Sequence, residues 1–167
     1  MRIQIVLALV LFAMANVSAE EKVTVSGVHL CCKSCVDAIE AAGKTSGATV
    51  TGDKETKTVV VVAKDKKEAQ AALDAISAAG YYGTSDSKEI VMKPAAVGDG
   101  KSTGLEVTTH NCCAKCTKAI VADASSTAGV TGTEATPKDP KIKIQGSFET
   151  SAAVKSLNDG GFQLNKP

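Results

Sequence analysis

A seven-residue pattern, H-x-C-C-x-x-C, occurs twice in this chain, at residues 29–35 and again at 110–116. The two copies lie 81 residues apart, and their surroundings repeat at nearly the same offset. Ile39 answers Ile120, Val50-Thr51-Gly52 answers Val130-Thr131-Gly132, and Gly80-Tyr81 answers Gly161-Phe162. Whatever the chain folds into must therefore be one supersecondary plan of about 70 residues, used twice. All six cysteines and both histidines fall inside the two heptapeptides. The repeat thus constrains the chemistry as tightly as the fold.

Each copy alternates between strand and helix periods. In the first, Val23-Thr24-Val25 alternates as a strand and leads through Gly27 to the cysteines. Residues 36–42 read as a short helix, 49–51 as a strand, 52–54 as a turn, and 58–63 as a β-branched strand. Asp65, three residues before Glu68, has N-cap spacing for a helix over 66–79, where Ala69, Ala72, Leu73 and Ile76 recur at helical intervals. Gly80 suits the residue after that helix, and the last strand is expected within 81–92, at 88–92 after a break at Gly83. The second copy runs likewise. Leu105 and Val107 mark a strand, 117–124 a helix, and 130–135 and 141–145 strands around a turn with Pro137 and Pro140. Thr150 is expected to cap a helix over 151–158, and 162–164 to close the sheet. The order β-α-β-β-α-β, twice, predicts an α+β chain of two tandem ferredoxin-like domains. The boundaries are 22–93 and 104–166, with 94–103, rich in Pro, Gly, Ala and Ser, as linker. Counted back from the cysteines, Leu105 and Val107 share parity with Thr24 and Ser26 rather than with Val23 and Val25. One residue must be absorbed before Cys31, and Gly27 is the expected place.

Residues 1–19 have the form of a secretory signal: Arg2, an uncharged apolar run over 3–15, and Val17-Ser18-Ala19 as a small-residue cleavage pattern. The run is too short to span a bilayer comfortably. Export to the periplasm or the extracellular space is expected, with no stable membrane insertion after cleavage. Arg2 is the only charge in the leader, so its removal takes the formal net charge from +1 to 0. A neutral chain with interspersed lysines and acids has no electrostatic footprint for nucleic acid. Aromatic residues are scarce, so the core must be built from Val, Ile, Leu and Ala, and small domains with such cores gain from metal or disulfides.

Cys32 and Cys35 stand at i and i+3 where a loop opens a helix, as do Cys113 and Cys116. A helix start offers unpaired N–H groups and partial positive charge, which favour thiolate over thiol. A pair of thiolates suits soft ions such as Cu(I), with Zn(II) also accommodated. Each copy resembles the heavy-metal-associated domain, the module of copper chaperones, copper-transporting ATPases and mercury-resistance periplasmic binding proteins. The resemblance rests on the C-x-x-C between strand one and helix one and on the glycine-aromatic pair after helix two. It implies metal carried on Cys32 with Cys35 and on Cys113 with Cys116. It favours Cu(I), with Zn(II) or Hg(II) as alternatives, and it points to a metal-transport or metal-acceptor protein as partner.

The chain departs from the family pattern in three ways. Leu30 and Asn111 stand where the family usually has Met. An additional cysteine, Cys31 or Cys112, precedes each pair and is expected to be an auxiliary ligand. His29 and His110 add nitrogen donors that are left out of the expected ligand set. Two other readings compete with metal binding. A disulfide-stapled interaction module fits an oxidising compartment, although adjacent cysteines make awkward bridges. A thiol–disulfide oxidoreductase also uses C-x-x-C at a helix start, but no other constellation here resembles a catalytic site, and no enzyme activity is expected. A zinc ribbon with both C-x-x-C pairs as its four ligands is disfavoured, because such pairs are normally separated by far fewer residues than the 77 between Cys35 and Cys113.

Overall fold

The computed structural model describes residues 20–167; the leader expected over 1–19 lies outside them. It is a mixed α+β structure with four helices and two antiparallel sheets, consistent with a ferredoxin-like arrangement. In the first half, β1 (Glu21–Ser26), α1 (Lys33–Lys44), β2 (Thr49–Asp53), β3 (Thr58–Ala63), α2 (Lys66–Ala78) and β4 (Thr84–Ser85) form a sheet of order β2-β3-β1-β4. In the second, β5 (Lys101–Thr108), α3 (Ala114–Ser125), β6 (Val130–Ala135), β7 (Lys141–Glu149) and α4 (Thr150–Asp159) give a sheet of order β5-β7-β6. In each half the strand before the cysteines pairs antiparallel with the second strand of the following hairpin. Among the described residues no helix is long and apolar enough to cross a membrane.

Alternation decides which face each strand buries. Val23 and Val25 of β1 and Val59, Val61 and Ala63 of β3 point inward against Ile39 of α1 and Ala69, Ala72, Leu73 and Ile76 of α2. Gly43 lets α1 approach β2 closely, because a Cβ there would overlap the Val50 side chain. Asp65 caps α2 as its spacing predicts, with Oδ1 accepting from the Glu68 N–H at 2.8 Å. The parity shift falls at Gly27, which takes φ +78°. Buried Val25 and Val28 are consequently three residues apart, whereas Val107 and Thr109 in the second half are two apart. That register places Leu30 and Asn111 alike on the inner side, directly before the cysteines.

Four expected boundaries are corrected. The last strand of the first half is β4 at Thr84–Ser85, not residues 88–92. Gly83 packs so tightly on Val25, Val28 and the Ser26 carbonyl that the chain meets the β1 edge at once. Residues 88–92 are held instead by the Gln70 amide, which accepts from the Val91 N–H at 3.0 Å and donates to its carbonyl at 2.9 Å. Strand β5 starts at Lys101, inside the span read as linker, because β7 runs on to Glu149 and pairs with it there. For the same reason Glu149, not Thr150, is the N-cap of α4. Phe162, expected in a closing strand, forms a bridge to Tyr81 of the other half, and Asn165 bridges Thr108 within its own half.

The two halves dock through these ends. The Tyr82 N–H donates to the Gly161 carbonyl at 3.1 Å, and the Gln163 N–H to the Gly80 carbonyl at 3.0 Å. Gly80 and Gly161 hold φ of +90° and +87°. A side chain at either would run into the backbone of the other half, at His110 or at His29 respectively. The apolar core is correspondingly one cluster, from Val23 in the first half to Leu164 in the second.

Candidate metal centre

Each C-C-x-x-C is built the same way. Cys32 and Cys113 are the extended N-cap residues of α1 and α3, at φ/ψ of −160°/171° and −159°/171°. Cys35 and Cys116 sit in the first helical turn and are buried. Cys31 and Cys112 end the loop and are partly buried. Because the halves dock with the two loops facing each other, the sulfurs of both stretches meet. Cys31 Sγ lies 3.7 Å from Cys35, 3.6 Å from Cys113 and 3.4 Å from Cys116. The related contacts of Cys112 are 3.7 Å to Cys116, 3.7 Å to Cys32 and 3.6 Å to Cys35. Within the pairs, Cys32–Cys35 is 3.6 Å and Cys113–Cys116 is 3.8 Å. Every contact in one half has its counterpart 81 residues on, so the six sulfurs obey an approximate two-fold relation. None of the six is in a disulfide.

The histidines flank this cluster, under the aromatic residue of the opposite half. Tyr81 stacks on His110 with ring centroids 4.1 Å apart, and Phe162 stacks on His29 at 4.3 Å. The Tyr81 hydroxyl lies 2.8 Å from His110 Nε2 and 3.3 Å from the Cys35 carbonyl. Phe162 has no hydroxyl, and His29 Nε2 is buried without a partner. Lys33 is turned away and pairs with Asp37 at 2.6 Å on the exposed face of α1, so it gives the thiols no charge.

Packing sulfurs this closely sets their protonation against one another. A hydrogen bond from Cys116 draws the Cys35 thiol far below its usual range, with burial opposing and His110 assisting. The same contact, together with burial, pushes Cys116 up, so the pair shares one proton. The N–H of Cys116, at the open end of α3, draws Cys113 down to about 7. Burial raises Cys31 to about 12 and also raises Cys112. Burial lowers His29, which favours its neutral, ligand-competent form. Six thiolates together would carry a charge that burial cannot support. Cations or protons must neutralise most of it.

No family model and no curated protein matches the chain. A solved structure, the N-terminal soluble domains of Bacillus subtilis CopA, aligns with 88% of this chain and 93% of its own, at 15% identity and a TM-score of 0.33.

The donor set itself fits a soft metal ion. Thiolate sulfur is the preferred ligand of Cu(I) and binds zinc at about 2.3 Å, which in a tetrahedron requires sulfurs about 3.8 Å apart. The observed separations of 3.4–3.8 Å lie at or a few tenths of an ångström below that. The side chains able to hold an ion include Cys35, His110, Cys112 and Cys116 in one group, and His29, Cys31 and Cys116 in another. All six expected cysteines are thus brought together, and both histidines, omitted from the expected set, join them. The signal for the histidines was their place in the repeat, always two residues before C-C. The signal for Tyr81 and Phe162 was the glycine before each. The sequence carried no signal that the two stretches face each other, and the length of chain between Cys35 and Cys113 argued only against a zinc ribbon built on both pairs.

Proposed function

We propose that this chain is an exported binding protein for soft metal ions, with Cu(I) preferred over Zn(II) or Hg(II). It is read as two copies of a heavy-metal-associated module whose C-C-x-x-C stretches share one thiolate centre. It acts in sequestration or transfer rather than catalysis, and its partner is a metal-transport or metal-acceptor protein. The observation that carries this reading is the meeting of six sulfurs from two distant stretches, each within 3.8 Å of others. An apolar core has no use for six adjacent thiols, whereas soft cations displace thiol protons and take the resulting thiolates as ligands.

Native mass spectrometry of the reduced chain, titrated separately with Cu(I), Zn(II) and Hg(II), tests this. Retention of metal by the parent chain, and none by a chain with all six cysteines changed to Ser, is expected. A reduced parent chain that leaves the titration without metal would refute the function.

A further inference from the structure

Taken together, the sulfur distances distinguish two ways of assigning the extra cysteines. In the first, Cys31 assists Cys32 and Cys35 of its own half, and Cys112 assists Cys113 and Cys116. In the second, the assistance is crossed. Cys112 closes a triangle with Cys32 and Cys35 whose edges are 3.6, 3.6 and 3.7 Å. Cys31 closes the matching triangle with Cys113 and Cys116, with edges of 3.8, 3.6 and 3.4 Å. All edges of both crossed triangles are direct sulfur–sulfur contacts.

The uncrossed triangles contain adjacent residues, Cys31 with Cys32 and Cys112 with Cys113. Cys32 and Cys113 are fully extended, a conformation that sends successive side chains to opposite sides. The sulfurs of Cys31 and Cys32, and those of Cys112 and Cys113, lie within 4.8 Å of each other, but neither adjacent pair is among the direct sulfur–sulfur contacts that make up every crossed edge. A planar three-thiolate site with bonds of about 2.3 Å needs edges of about 4.0 Å, so a crossed triangle opens by only a few tenths of an ångström to seat an ion.

We propose that the centre holds two soft ions, each on a crossed three-sulfur face: Cys32, Cys35 and Cys112 for one, and Cys113, Cys116 and Cys31 for the other. The C-x-x-C of each half is completed by the leading cysteine of the opposite half. Each ion therefore ties the two halves together. This rests on the soft-metal reading above and adds to it the number of ions and the identity of the third ligand.

The test isolates one face. In the full chain carrying Cys113→Ser and Cys116→Ser, only the Cys32/Cys35 face remains. It is loaded with Cu(I), the bound ions are counted by native mass spectrometry, and the sulfurs per copper are counted by X-ray absorption fine structure. Two Cu(I) on the parent chain are expected, and one, with three sulfurs, on this variant. Adding Cys112→Ser should reduce the sulfurs from three to two, while adding Cys31→Ser should leave three. The mirror series, built on Cys32→Ser and Cys35→Ser, should show the dependence on Cys31 and not on Cys112. Dependence on the leading cysteine of the same half, on both leading cysteines or on neither would overturn the crossed assignment. So would loss of all copper from the single-face variants while the parent chain binds it. A parent chain that binds no metal sinks the functional reading itself, which separates the two failures.

Discussion

Tyr81 and Phe162 occupy related positions, each stacked on the histidine of the opposite half, and differ by one oxygen. That oxygen lies 2.8 Å from His110 Nε2, while the related nitrogen, His29 Nε2, is buried with no partner. Tyr81→Phe should therefore create in the second loop the defect already present in the first. Loss of a net hydrogen bond with its buried partner left unpaired costs about 1–3 kcal/mol. Phe162→Tyr is the reverse experiment. With ring separations of 4.1 and 4.3 Å and interplanar angles of 29° and 28°, the new hydroxyl would approach His29 Nε2 as its counterpart approaches His110. It should gain about what the first variant loses, about 1–2 kcal/mol after the tight site has accommodated one extra atom. At about 2–4 °C per kcal/mol for a chain of this size, a change of about 1–2 kcal/mol should move the midpoints about 2–8 °C in opposite directions.

The assay is thermal and urea unfolding of the reduced, metal-free chain at pH 7.5, where burial, which lowers His29, keeps that ring neutral in the folded chain. Carrying both changes moves the hydroxyl from one half to the other and should return the midpoint close to that of the parent. A Tyr81→Phe chain as stable as the parent, or a Phe162→Tyr chain that is less stable, would refute the argument that the two sites are equivalent but for that oxygen.

Two further outcomes follow from the packing. Asn111 donates through Nδ2 to the Thr136 and Asp139 carbonyls at 2.8 and 3.0 Å and accepts from Thr117 Oγ1 at 2.8 Å. Asn111→Leu, although it copies Leu30, should cost about 2–3 kcal/mol in urea unfolding, and an unchanged midpoint would contradict this. Burial, and then the charge of Asp159, raise the Asp123 carboxyl above its usual value. A raised acid holds its proton longer folded than unfolded, so the parent loses stability as pH rises through the folded-state value. Asp123→Asn should be the more stable chain at pH 7, with the difference vanishing once the pH is below the unfolded value, near 4; an advantage that grows on acidification would contradict the sign.

Much of the fold was legible because its determinants are local. The alternation of Val23 and Val25, the β-branched run of β3, the Asp65–Glu68 spacing and the parity shift at Gly27 each act over a few residues, and each is where the sequence places it. The failures occur where a distant partner decides. Residues 88–92 look like a strand, but Gln70 satisfies Val91 in place of a ladder. Lys101 looks like linker, but Glu149 pairs with it. Asn111, in the place of an apolar residue, looks like a flaw beside the second cysteine pair. It locks the turn over 136–139 with two bonds to carbonyls about 25 residues away and ties it to α3 with a third, from Thr117. The six cysteines could be named from the repeat alone, but their common centre could not, because no local pattern encodes the face along which two similar units dock.

That face is nevertheless tied to the repeat by its glycines. A residue at φ near +90° that also lies against a backbone leaves no room for a Cβ, so Gly80 and Gly161 meet two requirements with one choice. Each ends the helix of its own half and seats on the histidine loop of the other. The aromatic residue that follows then falls on that histidine, and the cysteines two residues further along the loop fall beside those of the first half. Docking and assembly of the centre are therefore one event. On the crossed assignment, whatever free energy an ion contributes by binding both halves is added to their association, about 2.7 kcal/mol when the free ion stands at a hundred times its dissociation constant. The main-chain bonds from Tyr82 to Gly161 and from Gln163 to Gly80 orient the halves, and the shared sulfurs hold them together once charged with metal.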